Sequence, residues 1–362
     1  MNTEQKEILK KVKAGGRLTV SEAVGLLAVK GADLYQVLET AERVKQRKHE
    51  DRITYVINYN LNLSNVCINS CSFCGFHQDS NNANAYKLSG QDINDHLQIA
   101  KKNNVTEICL VSGLHPSFDL DTYLKVIEQI KTKLPEIHLH GITPAELEHA
   151  LRNRELGFAE GYNLLHKAGL DSVPGTAAEI LVPEVRNKIC PNKISTSNWV
   201  KAIKAAHQVG LKSTATMLYG HLETLKQRIK HLKLIRDIQD ETGGFTEFIP
   251  LSFVPYNTPL GAEGQVNYEP TGRNDLLMIA VSRLFLDNIA NVQASWVKYG
   301  PKLAQFMLTA GANDLGGTLF NENISQAAGK KTDEYLAPER LTALISDMGY
   351  KPQQRTTLYD LI

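Results

Sequence analysis

The chain has 362 residues, of which 42% are hydrophobic and 22% are charged, and its 40 basic and 39 acidic side chains leave a formal net charge of +1. This composition excludes a disordered or collagenous chain, and the near-zero charge argues against a broad nucleic-acid-binding surface. No apolar run reaches the roughly 18 residues that a membrane span needs, and the N-terminus lacks the apolar core of a signal peptide. We therefore expect a cytoplasmic protein, without a nucleic-acid or membrane partner, whose cysteines stay reduced.

Residues 1–50 are predicted to form short helices, because apolar residues recur there at helical spacing. From Ile53 onward, short apolar runs alternate with amphipathic helices. One helix begins after Ser89, which has the N-cap pattern with Asp92, and another ends at Gly243-Gly244. The apolar runs predict strands at 54–59, 107–112, 137–141, 172–174, 213–219, 245–253, 291–296 and 314–319.

Alternating strands and helices predict an α/β fold with parallel strands and right-handed crossovers. Eight such units would close a TIM-type (β/α)8 barrel, whose active site lies at the C-terminal ends of the strands. An open, doubly wound sheet is the alternative. We divide the chain into an N-terminal helical segment (1–50), the barrel (51–330) and a C-terminal helical extension that packs on the barrel (331–362).

Three cysteines follow the first predicted strand closely. Cys67, Cys71 and Cys74 are separated by three and two residues. A loop of this length can place three thiolates around one face of an iron–sulfur cubane and leave the fourth iron without a protein ligand. Unrelated buried cysteines and a zinc site completed by His77 are the alternatives. The other two cysteines are expected far from this triplet, in a strand and at a helix end.

A C-x3-C-x2-C run on the loop after the first strand resembles the signature of the radical S-adenosylmethionine (SAM) enzymes. This resemblance implies one [4Fe–4S] cluster on Cys67, Cys71 and Cys74, SAM at its open iron, and chemistry by a 5′-deoxyadenosyl radical. The chain further resembles the tyrosine-dependent radical enzymes of deazaflavin and futalosine-pathway menaquinone biosynthesis. That resemblance rests on the segments 175–181, 189–193, 215–221, 243–251, 293–298 and 311–318.

The resemblance favours the deazaflavin branch of this family. It implies a transferase that breaks the Cα–Cβ bond of L-tyrosine, adds the 4-hydroxybenzyl group to 5-amino-6-(D-ribitylamino)uracil and releases 2-iminoacetate. It also implies an electron donor of the ferredoxin or flavodoxin type and a second radical SAM subunit that closes the deazaflavin ring. A menaquinone-pathway enzyme acting on a futalosine-type nucleoside is one alternative, and a non-catalytic zinc or iron–sulfur protein is another.

The family pattern also implies contacts for SAM. Phe73 would pack against the adenine, and Glu179 would accept hydrogen bonds from the ribose hydroxyls. Ser112 and Gly113 would approach the methionine amine, although the family often has two adjacent glycines there. Four polar residues at predicted strand ends are candidates for substrate contacts and proton transfer: His115, His140, His221 and Glu223.

Overall fold

The computed structural model describes residues 1–331 and 335–362; residues 332–334, which belong to the predicted C-terminal extension, lie outside the described part. Parallel strands form the wall of a barrel. They are β1 Arg52–Val56, β2 Asn58–Leu61, β3 Glu107–Leu110, β4 His138–Gly141, β5 Ser172–Val173, β6 Lys212–Tyr219, β7 Phe245–Ser252, β8 Asn291–Val292 and β9 Asp314–Gly317, and a further strand, β10 Lys351–Gln354, pairs with β1.

The predicted first strand, 54–59, is divided at Ile57 between two sheets. β2 begins a sheet with the order β2-β3-β4-β5-β6-β7-β8, and β1 lies between β10 and β9 in a second sheet. Ala294 N donates to Asp314 O over 2.8 Å, which joins the end of β8 to β9. Because β9 in turn pairs with β1, the circuit closes. The structure is thus the predicted barrel and not an open, doubly wound sheet.

Helices form the N-terminal segment and cover the outside of the barrel. Many begin at a Ser, Thr, Asp or Asn side chain that accepts a hydrogen bond from the third helical N–H, such as Ser89 from Asp92 N. They are α1 Thr3–Lys13, α2 Val20–Leu27, α3 Asp33–His49, α4 Gly90–Lys102, α5 Leu120–Lys133, α6 Pro144–Leu151, α7 Phe158–Ala168, α8 Pro183–Ile189, α9 Thr196–Gln208, α10 Leu225–Thr242, α11 Pro259–Ala262, α12 Gly272–Phe285, α13 Trp296–Tyr299, α14 Pro301–Met307, α15 Ile324–Ala327 and α16 Pro338–Asp347.

Side chains of the wall alternate between an apolar outer layer and a more polar lumen. Asn58 and Asn60 line the lumen, whereas Tyr59 and Leu61 pack in the hydrophobic core between strands and helices. The same alternation holds along β3, β6 and β7, because successive strand side chains point to opposite faces. The polar residues within these apolar strands therefore gather in the lumen.

The end of the chain is more than the predicted helical extension. After α16, β10 runs parallel to β1, with Tyr55 opposite Gln354. Arg355 and Thr357 then line the lumen. The sequence KPQQ of β10 has no apolar alternation, so the pattern could not identify it as a strand. The division at residues 50 and 330 stays a prediction. No helix in the described residues has the length and apolarity to cross a membrane.

Candidate active site

The three cysteines lie on the loop after β2, at the C-terminal end of the barrel, and line one cavity of about 410 Å³. Main-chain hydrogen bonds attach this loop to the loops after three other strands. Ile68 N donates to Leu114 O over 3.0 Å. Ser72 N donates to Ile189 O over 2.8 Å, and its carbonyl accepts from Leu260 N over 2.9 Å. The backbone of the barrel end therefore sets the positions of the thiols.

Backbone N–H groups point at two of the three sulfurs. Asn69 N donates to Sγ of Cys67 over 3.4 Å. Sγ of Cys74 accepts from the N–H groups of Phe76 and His77. Burial raises the pKa of the Cys67 and Cys74 thiols. Hydrogen bonds to sulfur and partial burial are the environment in which proteins hold iron–sulfur clusters, so this donor set fits a three-thiolate cluster.

Among residues 1–331 and 335–362, no group of three or more His, Cys, Asp or Glu side chains converges closely enough to hold a single metal ion. A cubane binds each thiolate at a different iron, so its ligands surround a face and need not converge on one point. The zinc alternative requires His77 as the fourth ligand. Nε2 of His77 instead lies 3.6 Å from Oδ1 of Asp79, on the same loop.

Cys190 is close to the triplet, contrary to the prediction. It follows α8 directly, is buried, and shares a side-chain hydrogen bond with Cys71. That hydrogen bond, together with burial, raises the pKa of the Cys71 thiol. Cys109 also faces the cavity, from β3. The prediction was wrong because separation along the chain says little about distance across a barrel mouth, where loops after all strands meet.

Phe73 and Glu179, the two residues expected at the adenosyl group, both line the cavity. Lys193 lies beside both of them. Its Nζ donates to Oε1 of Glu179 over 2.6 Å and lies 5.3 Å from the centre of the Phe73 ring. Burial is the largest single influence and would raise the pKa of Glu179, but the charge and hydrogen bond of Lys193, together with the charges of Arg186 and His221, outweigh it, and the pKa is lowered. A charged acceptor is thus held inside the cavity.

The backbone around Glu179 is strained. Ala177 and Glu179 have φ angles of 66° and 44°, in the left-handed region that residues with a Cβ rarely adopt. The buried guanidinium of Arg186 stabilises this loop. Its Nη1 donates to Ala178 O over 2.7 Å, and its Nη2 donates to Ala177 O over 2.9 Å. Arg186 also donates from Nε to Ile194 O over 2.8 Å, so one side chain fixes both ends of the segment.

Ser112 and Gly113 follow β3 and line the cavity. Ser112 N donates to Oε1 of Glu146 over 3.0 Å, and Gly113 N donates to Ser64 O over 2.8 Å. A Cβ on Gly113 would lie 2.5 Å from Val66 O, so only glycine allows this approach of two backbones. The serine is accommodated at the position where the family often has a glycine, whereas Gly113 has no room for a side chain.

His140 is the member of the four predicted catalytic residues that lines the cavity. Its ring is buried, and its Nδ1 lies 2.7 Å from Oγ of Ser172 on the neighbouring strand. Burial, followed by the charge of Arg355, lowers the pKa of His140 to about 3. The imidazole is therefore neutral near pH 7 and offers one donor and one acceptor to the cavity and its neighbours.

The other three predicted residues are not among those that line the cavity. His115 is hydrogen-bonded within its own loop, from Ser117 N to Nδ1 over 3.1 Å. Glu223 accepts from Gly220 N and His221 N over 2.6 and 2.9 Å and from Nε of Arg228 over 2.7 Å. These hydrogen bonds hold the Glu223 carboxylate within the turn after β6. All three follow the C-terminal end of a strand, and their role in catalysis stays a prediction.

The cavity residues that were not identified from the sequence include Lys193, Glu247 and Arg355. Glu247 could have been found, because it shares the β7 face with Ile249 and Leu251, which also line the cavity. Lys193 lies in a segment that carries the family resemblance, but its charge is ordinary for a loop. Arg355 gave no signal, since its strand could not be recognised.

Comparisons with known proteins agree with this geometry. The family model of the radical SAM superfamily matches residues 61–235, and a model of the CofH/MqnC C-terminal region matches residues 242–362. A 5-amino-6-(D-ribitylamino)uracil–L-tyrosine 4-hydroxyphenyl transferase from Methanoculleus marisnigri is 46% identical over 357 residues, which cover 99% of this chain and 97% of that protein. The transferase of the same name from Methanopyrus kandleri is 42% identical over 98% of this chain and 96% of its own length.

Solved structures share the fold at low identity. Methylornithine synthase superposes with a TM-score of 0.76 at 20% identity, covering 95% of this chain and 97% of that one. A maturase of the [FeFe]-hydrogenase superposes with a TM-score of 0.78 at 18% identity, covering 98% of this chain and 77% of that one. Similarity at this level of identity supports the barrel architecture.

Proposed function

Since the chain belongs to the radical SAM superfamily and, within it, to the family of the 5-amino-6-(D-ribitylamino)uracil–L-tyrosine 4-hydroxyphenyl transferases, we propose that it catalyses the reaction for which this family is named. It breaks the Cα–Cβ bond of L-tyrosine, adds the 4-hydroxybenzyl group to 5-amino-6-(D-ribitylamino)uracil and releases 2-iminoacetate, a step of deazaflavin coenzyme biosynthesis. The observation that carries this proposal is a three-cysteine loop that opens into a polar lumen, in a chain similar to those transferases over nearly its whole length.

Membership of the superfamily implies a [4Fe–4S] cluster and SAM. The thiols of Cys67, Cys71 and Cys74 would hold one cluster. When bound, the two cofactors supply hydrogen-atom abstraction by a 5′-deoxyadenosyl radical. The task of the protein is to fix the donor and the substrate at the two ends of one cavity, so that a single hydrogen is in reach.

Different cavity residues contact different parts of SAM in this proposal. Phe73 packs on the adenine, Glu179 accepts from the ribose hydroxyls, and Ser112 and Gly113 form the wall at the methionine amine. Lys193 is a cation next to these groups and suits the methionine carboxylate. Glu179 has a second carboxylate oxygen and Lys193 has further ammonium N–H groups, so each can contact SAM beside their mutual bond.

The lumen beyond these residues holds the substrates. A volume of about 410 Å³ lies within the range of small-molecule sites, and its polar wall suits an amino acid and a hydroxyl-rich pyrimidine. Neutral His140 contacts a substrate there. His221 and Glu223 shape the turn after β6, and His115 stabilises the loop after β3.

Three parts of the proposal concern the surroundings of the enzyme. A donor of the ferredoxin or flavodoxin type supplies the electron, and a second radical SAM subunit takes the product and closes the deazaflavin ring. The reduced thiols that the cluster requires favour a cytoplasmic location.

Anaerobic assays with two substrate sets test the function. The reconstituted protein is incubated with SAM, reductant and either L-tyrosine plus 5-amino-6-(D-ribitylamino)uracil or a futalosine-type nucleoside. We expect product and 5′-deoxyadenosine with the first set. Turnover of the nucleoside alone would assign the chain to the menaquinone pathway. A colourless protein that contains zinc and no iron would support the non-catalytic alternative.

A further inference from the structure

Glu247 is a buried carboxylate in the lumen to which no role has been given above. It is the third residue of β7, is 5% exposed, and lines the cavity, whereas the next residue, Phe248, packs in the core. Arg355 and Thr357, which follow β10, line the same region. The lumen floor, defined as Glu247, Gln293, Arg355 and Tyr359, is therefore built from β7, the end of β8 and the last residues of the chain.

One oxygen of Glu247 is fully engaged by this floor. Oε2 accepts from Oη of Tyr359 over 2.7 Å and from Nε2 of Gln293 over 3.0 Å. Within the described residues, Oε1 has no hydrogen-bond partner. The hydrogen bonds to Oε2 thus orient the carboxylate, and Oε1 is left to bind a ligand in the lumen.

The cation next to Glu247 is already neutralised. Arg355 donates from Nε to Oδ2 of Asp314 over 2.5 Å and from Nη2 to Oδ1 over 3.1 Å. Its Nη2 is 3.9 Å from Oε2 of Glu247. Arg355 also lies 4.0 Å from the centre of the Tyr359 ring, which fixes the ring whose hydroxyl holds Glu247.

The rest of the lumen carries further acceptors beside the cations Lys193, Lys298 and Arg355. Glu107 lines it from β3 with one oxygen held by Nδ2 of Asn58 over 3.1 Å. His140 is neutral, as argued above. Oε1 of Glu247 is not a buried atom without a partner but is accessible from the cavity, so a ligand that presents an N–H group can reach it.

We propose that Oε1 of Glu247 binds an N–H donor of a substrate, either the ammonium of the amino acid or a ring or exocyclic N–H of the aminopyrimidine, and that Tyr359 positions this carboxylate. The inference rests on the proposed function, because it takes the substrates from it. The floor lies wholly within residues 242–362, the region matched by the CofH/MqnC model.

Calorimetric titration of the reconstituted protein tests the contact. Each of three ligands is titrated separately: L-tyrosine, its analogue without the amino group, 3-(4-hydroxyphenyl)propanoate, and 5-amino-6-(D-ribitylamino)uracil. The variants are Glu247→Gln and Tyr359→Phe, and the controls are the exposed Glu241→Gln and Tyr268→Phe. Iron content and SAM affinity report whether each variant keeps the barrel mouth intact.

Glu247→Gln should weaken one of the two substrates about tenfold, because a charge-assisted hydrogen bond becomes a neutral one. If the ammonium is the donor, wild type binds L-tyrosine more tightly than the propanoate and the variant binds the two alike. If the pyrimidine is the donor, only its affinity falls. Tyr359→Phe keeps the carboxylate but should weaken the same ligand, with SAM affinity unchanged.

Equal affinities of wild type and both variants for both substrates would overturn the inference while leaving the proposed function intact. A wild-type protein that binds neither substrate would overturn both. If Glu247→Gln loses its cluster, Tyr359→Phe decides: a selective loss for one substrate supports the contact, and unchanged binding refutes it.

Discussion

Nζ of Lys193 donates a hydrogen bond to Oε1 of Glu179 over 2.6 Å, and both side chains line the cavity next to the cluster loop. Burial opposes the charge on Lys193, but surrounding negative groups, above all Glu179, raise its pKa. The pair is thus a buried salt bridge at the place where the proposed cofactor binds. Because SAM carries both hydroxyl donors and a carboxylate, it can contact the second oxygen of Glu179 and a further N–H group of Lys193.

Replacing Glu179 with glutamine keeps the shape of the side chain and removes its charge. Hydrogen bonds to a charged acceptor contribute about 1.5–3 kcal/mol, against roughly 1 kcal/mol for neutral ones. The affinity for SAM should therefore fall about three- to thirtyfold, with unchanged iron content. Isothermal titration of the reconstituted proteins measures it. Equal affinities would remove Glu179 from the SAM site.

Cys71→Ala should abolish cluster binding, because only two thiolates of the triplet remain. The wild type should hold about four irons per chain, measured after anaerobic reconstitution. Cys109→Ala is the matched control, since it also removes a thiol that faces the cavity. It should keep its iron and lose about 1 kcal/mol of stability at most. A Cys71→Ala protein with wild-type iron content would contradict the ligand assignment.

Cys190→Ala should keep the cluster but lower its reduction potential. The hydrogen bond that the two thiols share raises the pKa of Cys71 and lowers that of Cys190, so Cys71 is the donor in the cluster-free protein. A ligated Cys71 thiolate could only accept, so Cys190 would donate to it, and a donor to a ligand sulfur stabilises the more negative, reduced cluster. One hydrogen bond of about 1 kcal/mol corresponds to about 40 mV for a one-electron couple. A redox titration followed by electron paramagnetic resonance measures the shift. Cys190→Ser, which retains a donor, should lie closer to wild type, and equal potentials in all three would refute the contact.

The stability of the protein should depend on pH in part because Glu247 titrates. Burial raises its pKa to about 7; the charge of Arg355 lowers it, whereas Asp314 and Glu107 raise it. An unfolded glutamate titrates near pH 4.3. Because the folded-state pKa is the higher one, the contribution of Glu247 to stability is complete below about pH 4 and is lost as the pH rises through about 7.

Glu247→Gln removes this titration. Its melting temperature relative to wild type should therefore increase from about pH 4 to about pH 7 and level off above that, measured on the apo protein at constant ionic strength. A constant offset for Glu247→Gln over this range would show that this carboxylate does not titrate there.

The barrel could be predicted because the patterns that indicate its strands and helices involve residues close together in the sequence. Asn58 and Asn60 alternate with Tyr59 and Leu61, and each helix carries its own capping residue, so strand and helix identities are readable from neighbours along the chain. The triplet of cysteines was found for the same reason. All three cysteines lie within eight residues, 67–74, so their spacing can be read directly from the sequence.

The rest of the site depends on contacts between distant segments. Cys190 reaches Cys71 only because the loops after different strands meet at the barrel mouth. His221 follows β6 as predicted, but its Nε2 lies 3.1 Å from Leu218 O and its Nδ1 lies 3.0 Å from Oε2 of Glu223, within the same turn. Arg355 and Thr357 line the lumen after a strand without an apolar pattern. Cys190 and Arg355 are far apart in the sequence from the residues that they contact, and no regular spacing predicts these contacts.

The transfer of the hydroxybenzyl group is the central claim, and mass spectrometry with labelled substrate tests it most directly. Reconstituted protein is incubated anaerobically with SAM, reductant, 5-amino-6-(D-ribitylamino)uracil and L-tyrosine that carries carbon-13 in its ring and Cβ. The account predicts that the whole label appears in an adduct with the aminopyrimidine, while unlabelled 2-iminoacetate, or the glyoxylate formed by its hydrolysis, accumulates with 5′-deoxyadenosine. Formation of 5′-deoxyadenosine with all label remaining in tyrosine, and no adduct, would contradict it.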